Sequence, residues 1–296
     1  MFEAIVRYGA MLFIDIASSE IQNLSRSEKV ILRTQRGLEL GEVVTLPTEV
    51  PEGTQREISV IRKATKEDLE CDLEIHEVTE PQEFKVCQEK IRFFNLPMRL
   101  ASVEHLFGGE KIVFYFLAES RVDFRELVKE LAREYRTRIE MKQIGARDQA
   151  KLLSDIERCG RELCCRKFIR SLEPVTIKMA KNQKATLDPA KISGACGRLM
   201  CCLRFEHKVY AELKTQMPRK GQVVSTPDGE SEVINYDIIA QTVTVELKGE
   251  QKTYPLDKIS FDKAKSLALE DKDEMTEEEE KAINNRKIQD SDENGE

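Results

Sequence analysis

Tryptophan is absent from this chain of 296 residues, histidine occurs three times, and aromatic residues make up only 6%. So few rings leave a weak signature for the stacking platforms that bind single-stranded nucleic acid. The histidines, His76, His105 and His207, are scattered. His207, five residues after Cys202, is in reach of a ligand role, although a surface histidine is the plainer reading. No apolar run approaches the length of a membrane span. The N-terminus, Met1 to Arg7, has no basic stretch ahead of an apolar one, and Glu3 and Asp15 interrupt it, so it does not read as a signal peptide. The expected compartment is the cytoplasm, where thiols stay reduced. There is no phosphate-binding Walker loop, no G-x-G-x-x-G after a strand and no nucleophile elbow. Enzymes built on those devices are excluded, and the expectation is a protein that is not an enzyme.

The cysteines break this plain pattern. Cys159-Gly160-Arg161-Glu162-Leu163-Cys164-Cys165 recurs as Cys196-Gly197-Arg198-Leu199-Met200-Cys201-Cys202, and a Phe follows each copy at the same distance, Phe168 and Phe205. The copies start 37 residues apart and hold six of the eight cysteines. A hydrophobic core has no need of such spacing, whereas a soft metal or an iron–sulfur cluster does. On a regular helix the first two cysteines of a copy would diverge by about 140°. The glycine after the first cysteine permits a loop that turns the thiolates inward. Arg161 and Arg198 place positive charge beside them, which favours the thiolate and offsets the charge of a bound cluster. Spacing alone leaves zinc open beside iron–sulfur, since cysteine sets also hold structural zinc. The candidate ligands are Cys159, Cys164, Cys165, Cys196, Cys201 and Cys202. Phe168 and Phe205 read as caps on this site. Cys71 and Cys87, in a helical stretch, read as ordinary thiols.

Charge is unevenly spread. The net is −7, yet Glu270 to Glu296 carries 12 acidic and 4 basic residues, while Arg158 to Lys220 carries 15 Lys/Arg against 5 Asp/Glu. The cysteine block is therefore basic and open to RNA contact or to an acidic protein surface.

The fold class reads as α+β. A β-rich module over 1–60 includes a hairpin around Gln35-Arg36-Gly37. Residues 61–145 read as a helical segment, broken near Pro81, then a ββαβ unit whose helix follows Asp123 as N-cap. Residues 146–217 form the loop-rich, duplicated-cysteine block. A small β-barrel-like module spans 218–261, and an acidic tail over 262–296 is expected to be disordered.

With these residues in view, the chain resembles the RicT (YaaT) family, whose conserved region is named after a yeast polymerase-suppressor protein. The stretches that carry the resemblance are Leu96–Leu100, Phe114–Phe116, Arg121–Val128, Arg138–Asp148, Ile177–Lys181 and Lys191–Cys202. It covers nearly the whole chain except the tail. The resemblance implies a bacterial regulator that joins two small helical partners in a complex carrying 4Fe–4S clusters. That complex assists the endoribonuclease RNase Y in mRNA processing, on which sporulation, competence and biofilm development depend. One or two clusters would fall to the six cysteines named above, with a cluster shared with a partner subunit as one arrangement. The chain departs from the family just before the first motif, where Ser154 to Arg158 replace a glycine-rich stretch.

Overall fold

The computed structural model describes residues 2–51, 56–153, 156–169, 171–247 and 249–262. The expected acidic, disordered tail beyond 262 lies outside the described residues. The chain divides into two compact units, Met1–Arg166 and Lys167–Glu296, a division that falls inside the expected cysteine block.

The first unit opens with strands β1 (Phe2–Tyr8), β2 (Phe13–Ser19), β3 (Lys29–Arg33), β4 (Leu38–Val43), β5 (Thr48–Glu49) and β6 (Ile58–Lys63). The alternation of apolar and polar residues along β1 turns Ala4, Val6 and Tyr8 inward, whereas the buried positions of β4 are Glu39, Gly41 and Val43. β1 pairs with both β2 and β4, and the order β2-β6-β3-β4-β1 therefore closes on itself. Closure removes the exposed sheet edges that invite aggregation. Val6, Ala17, Val30, Leu32 and Val43 fill the interior. The hairpin expected at Gln35-Arg36-Gly37 is the β3–β4 connection.

Helix α1 (Lys66–Glu74) starts at a capping box: Thr65 Oγ1 accepts from the Asp68 N–H, and the Asp68 carboxylate accepts from the Thr65 N–H. It passes through one π-helical turn, Ile75–Thr79, into α2 (Glu80–Phe93). The break expected near Pro81 is thus a correction. The irregular turn comes earlier, and Pro81 sits in the first turn of α2, where a missing N–H costs little.

Strands β7 (Arg99–His105) and β8 (Lys111–Leu117) are antiparallel, and β9 (Arg138–Gln143) lies parallel to β8 after the crossover helix α3 (Arg125–Tyr135). This is the expected ββαβ unit. β8 is buried on both faces, which explains its unbroken apolar run. Ile112 and Phe114 pack with Leu127 and Leu131 of α3 and Cys87 and Ile91 of α2, while Val113 and Tyr115 pack with Met11 and Leu106 on the other side. Asp123 is not the N-cap. Phe124 holds that position, although the Asp123 carboxylate still accepts from the Arg125 N–H at 3.2 Å.

Residues 146–217 contain five helices among their described residues rather than a loop-rich block: α4 (Ala146–Leu153), α5 (Cys164–Lys167), α6 (Ile177–Asn182), α7 (Pro189–Ile192) and α8 (Cys201–Lys214). Their apolar pattern is too sparse to show, because none buries more than three apolar residues and α5 buries none. In the second unit Ala180, Ile192 and Leu203 make that core. It continues into an antiparallel meander, β10 (Val223–Thr226), β11 (Gly229–Asp237), β12 (Thr242–Leu247) and β13 (Glu250–Pro255). A bridge between Ser225 and Ser260 returns the chain to β10. Val224, Val233, Val243 and Val245 are its buried side.

Candidate metal centre

Each cysteine copy forms the same small knuckle. In the first, Ile156 bridges to Glu162, the Glu157 N–H donates to Arg161 O at 2.9 Å, and the Gly160 N–H donates to Glu157 O at 2.8 Å. In the second, Ser193 bridges to Leu199, the Gly194 N–H donates to Arg198 O at 2.9 Å, and the Gly197 N–H donates to Gly194 O at 2.9 Å. The knuckle then runs into a helix with another matched bond, Arg166 N to Leu163 O in one copy and Leu203 N to Met200 O in the other. Every pair is offset by the 37 residues of the sequence repeat. The repeat is therefore one of backbone structure as well as of side chains, and it extends from three residues before the first cysteine to the helix after the last.

Each knuckle makes its turn at a glycine. Gly160 lies at φ +73° and Gly197 at φ +71°, the left-handed region in which a side chain is strained. The tight turn lets Cys159 and Cys196 stand at the knuckle tip, while Cys164-Cys165 and Cys201-Cys202 open α5 and α8. None of the eight cysteines is paired in a disulfide among the described residues.

Local packing holds the second knuckle in place. The Met200 N–H donates to Ile192 O at 2.9 Å, and Leu199 and Met200 rest on the Ala180–Ile192–Leu203 core. The Asp188 carboxylate caps α7 by accepting from the Ala190 N–H at 3.0 Å. Leu203, His207 and Lys214 lie along one side of α8, spaced four and seven apart. Leu203 is buried, its carbonyl accepts from Gln183 Nε2 at 2.6 Å, and Lys214 Nζ donates to Asn182 Oδ1 at 3.1 Å. This side faces α6. The opposite side carries Cys201, Phe205, Lys208 and Val209. Phe205 and Phe168, equivalent positions of the repeat, pack edge to face with centroids 4.8 Å apart. They make a partner for one another three residues beyond the cysteine pair of each copy.

The electrostatics differ from expectation at Cys202. Burial pushes its thiol above the ordinary value, and the charges of Glu206 and Cys201 push the same way. His207 is not a simple surface residue: its Nδ1 is buried and has no hydrogen-bond partner among the described residues. Cys71 is exposed, whereas Cys87 is fully buried in the core under α3, and burial pushes its thiol up to about 12.

The donor chemistry fits a soft metal or an iron–sulfur cluster: six reduced thiols on two matched loops, with no disulfide to consume them. Among the described residues, no three His, Cys, Asp or Glu side chains stand together as a metal-holding group.

A regular knuckle repeated behind a ββαβ unit is the mark of a family. Residues 58–144 match the PSP1 C-terminal conserved region, and residues 174–217, which contain the second knuckle, match the third domain of PSP1-like proteins. The chain belongs to the PSP1-domain family that includes YaaT. It is 44% identical to the stage 0 sporulation protein YaaT of Bacillus subtilis over 226 residues, 75% of this chain and 82% of that protein. A shorter likeness, 45% identity over 62 residues, joins 21% of this chain to 8% of an uncharacterized protein of Schizosaccharomyces pombe. No solved structure matches the chain. No helix among the described residues is long and apolar enough to cross a membrane.

Proposed function

We propose that the chain is a non-catalytic regulatory subunit of the cytoplasm whose twin cysteine knuckles hold an iron–sulfur centre. The observation that carries this reading is the 37-residue repeat of backbone geometry around six cysteines. Cys159, Cys164, Cys165, Cys196, Cys201 and Cys202 would be the ligands. A 4Fe–4S cluster takes four thiolates, so six serve one cluster with two to spare, or two clusters completed by a partner chain. When bound, the cluster supplies an electron-accepting or fold-holding centre. The chain's own residues orient the thiolates through the glycine turns and surround them with Arg161 and Arg198.

The kinship with a sporulation protein supports a regulatory role. By resemblance to RicT, the partners are small helical subunits and RNase Y, and the outcome is mRNA processing that governs sporulation, competence and biofilm development. A second reading, a zinc-stabilised nucleic-acid-binding module, draws on the basic block from Arg158 to Lys220.

Metal analysis of protein isolated without air separates the two. Iron with matching sulfide and a broad band near about 400 nm is the expected result. Stoichiometric zinc with no iron would overturn the iron–sulfur reading and favour the second.

A further inference from the structure

The face of α8 that turns away from α6 carries more than cysteine. Phe205 and Val209 are 60% and 52% exposed, Phe168 is 47% exposed, and none of the three contributes to the adjoining core. Exposed rings are costly to leave in water, and contiguous ones mark an interaction surface. The stretch of chain that carries them is cationic. From Lys167 to Lys220 there are 12 Lys/Arg against 4 Asp/Glu. Lys167 precedes Phe168, Lys208 lies one helical turn beyond Phe205, and Arg198 stands in the knuckle turn; all three are exposed.

We infer that this face binds single-stranded nucleic acid, with the Phe168–Phe205 pair as the base-stacking platform and Arg198, Lys208 and Lys167 meeting phosphates. Charge complementarity selects the occupant: a polyanion answers an excess of eight positive charges in 54 residues. The rings select its form. A base stacks on a phenyl face only when it is out of a duplex, and every base has a π-face to offer. The edge-to-face packing at 4.8 Å fixes Phe205 before any base arrives. A pre-set ring loses little freedom on binding. Counting aromatics along the sequence undervalues this platform, because its two rings are 37 residues apart and meet only in the fold.

The inference goes beyond the metal reading and does not depend on which metal the knuckles take. The test uses the full chain, isolated without air, with a fluorescein-labelled single-stranded RNA oligonucleotide and the same sequence as a duplex. Fluorescence anisotropy is followed from low to raised salt. Wild-type protein is expected to prefer the single strand and to weaken as salt rises. Phe205→Ala weakens single-strand binding about 5- to 100-fold, the loss expected for one stacked base, and Phe205→Tyr restores it. Arg198→Glu lowers the salt dependence by about one phosphate contact. Where Phe205→Ala fails to fold, photocrosslinking of thiouridine-bearing RNA to wild-type protein is expected to map to the peptides holding Phe168 and Phe205. Equal affinity for duplex and single strand, or an unchanged Phe205→Ala, would overturn the inference. So would crosslinks confined elsewhere, or a face that binds a protein subunit and no RNA. Absent RNA binding with the metal content intact refutes this inference and leaves the metal reading standing; RNA binding with no metal bound does the reverse.

Discussion

Phe168 and Phe205 occupy equivalent places in the two copies of one motif, and they pack against each other edge to face. Nothing in a repeat requires its copies to touch through the same side chain. Both rings belong to the second unit, and their contact gives α8 an outward face distinct from the side it buries.

The knuckle turns set the first expectation. Gly160 and Gly197 sit at positive φ, and a Cβ at either would meet nothing within 4 Å. The cost of Gly→Ala is then backbone strain alone, about 1–2 kcal/mol at each site. Gly197→Ala is expected to lower the unfolding midpoint and to speed metal loss to a chelator. A variant that holds metal as firmly as the parent would show that the turn is not part of the ligand frame.

The two cysteines outside the knuckles should behave differently from each other. Cys71 is exposed on α1, so Cys71→Ser should leave stability and metal content as they are. Cys87 is fully buried against Phe114 and Leu131. Cys87→Ser puts an unpaired hydroxyl there and is expected to cost about 1–3 kcal/mol in urea unfolding, with metal content per folded chain unchanged.

Glu104 joins the N-terminal barrel to the ββαβ unit. It is 4% exposed. Its carboxylate accepts from Tyr115 Oη at 2.6 Å and from the Ala10 N–H at 2.7 Å, and it pairs with Arg36. Glu104→Ala leaves the half-buried Arg36 with Glu39 as its remaining carboxylate, 3.3 Å away, and takes the acceptor from Tyr115 and Ala10; it should destabilise by about 2–4 kcal/mol. Tyr115→Phe removes one bond and should cost about 1 kcal/mol. Equal effects of the two changes in denaturant would deny the network its central carboxylate.

A pH dependence follows from His105. Its ring bonds to the buried Glu83 at 2.7 Å, and that hydrogen bond first, with the nearby Glu83 and Glu80 charges, holds its pKa above the usual 6.5. The protonated ring therefore stabilises the folded state fully below the unfolded value. That contribution is lost as pH rises through the folded one. Unfolding free energy should fall across neutral pH, and His105→Gln should flatten the slope. A slope unchanged in His105→Gln would assign the dependence elsewhere, His76 beside Glu80 being the next group.

Much of this was legible from residue order. The β3–β4 hairpin, the ββαβ unit and the candidate thiols all follow from periodicity, turn residues and cysteine spacing. Closure of the first barrel was not, because it depends on β1 pairing with two strands distant in sequence. The π turn escaped as well: Pro81 gave a stronger local signal than Ile75–Thr79, though a proline in a first turn breaks nothing. The helices of 146–217 hid because α5, α6 and α7 are four to six residues long, too short for a 3.6-residue period to show. The backbone repeat of the knuckles was within reach of the sequence, since Ile156–Glu162 and Ser193–Leu199 obey the same offset as the cysteines.

The most direct test is iron and sulfide content per chain in single Cys→Ser variants isolated without air, one from each knuckle, with Cys71→Ser alongside. Cys159→Ser and Cys196→Ser are each expected to lose the cluster and its absorbance near about 400 nm while Cys71→Ser keeps both. Iron retained in full by both knuckle variants, or none in the parent protein, would contradict the account.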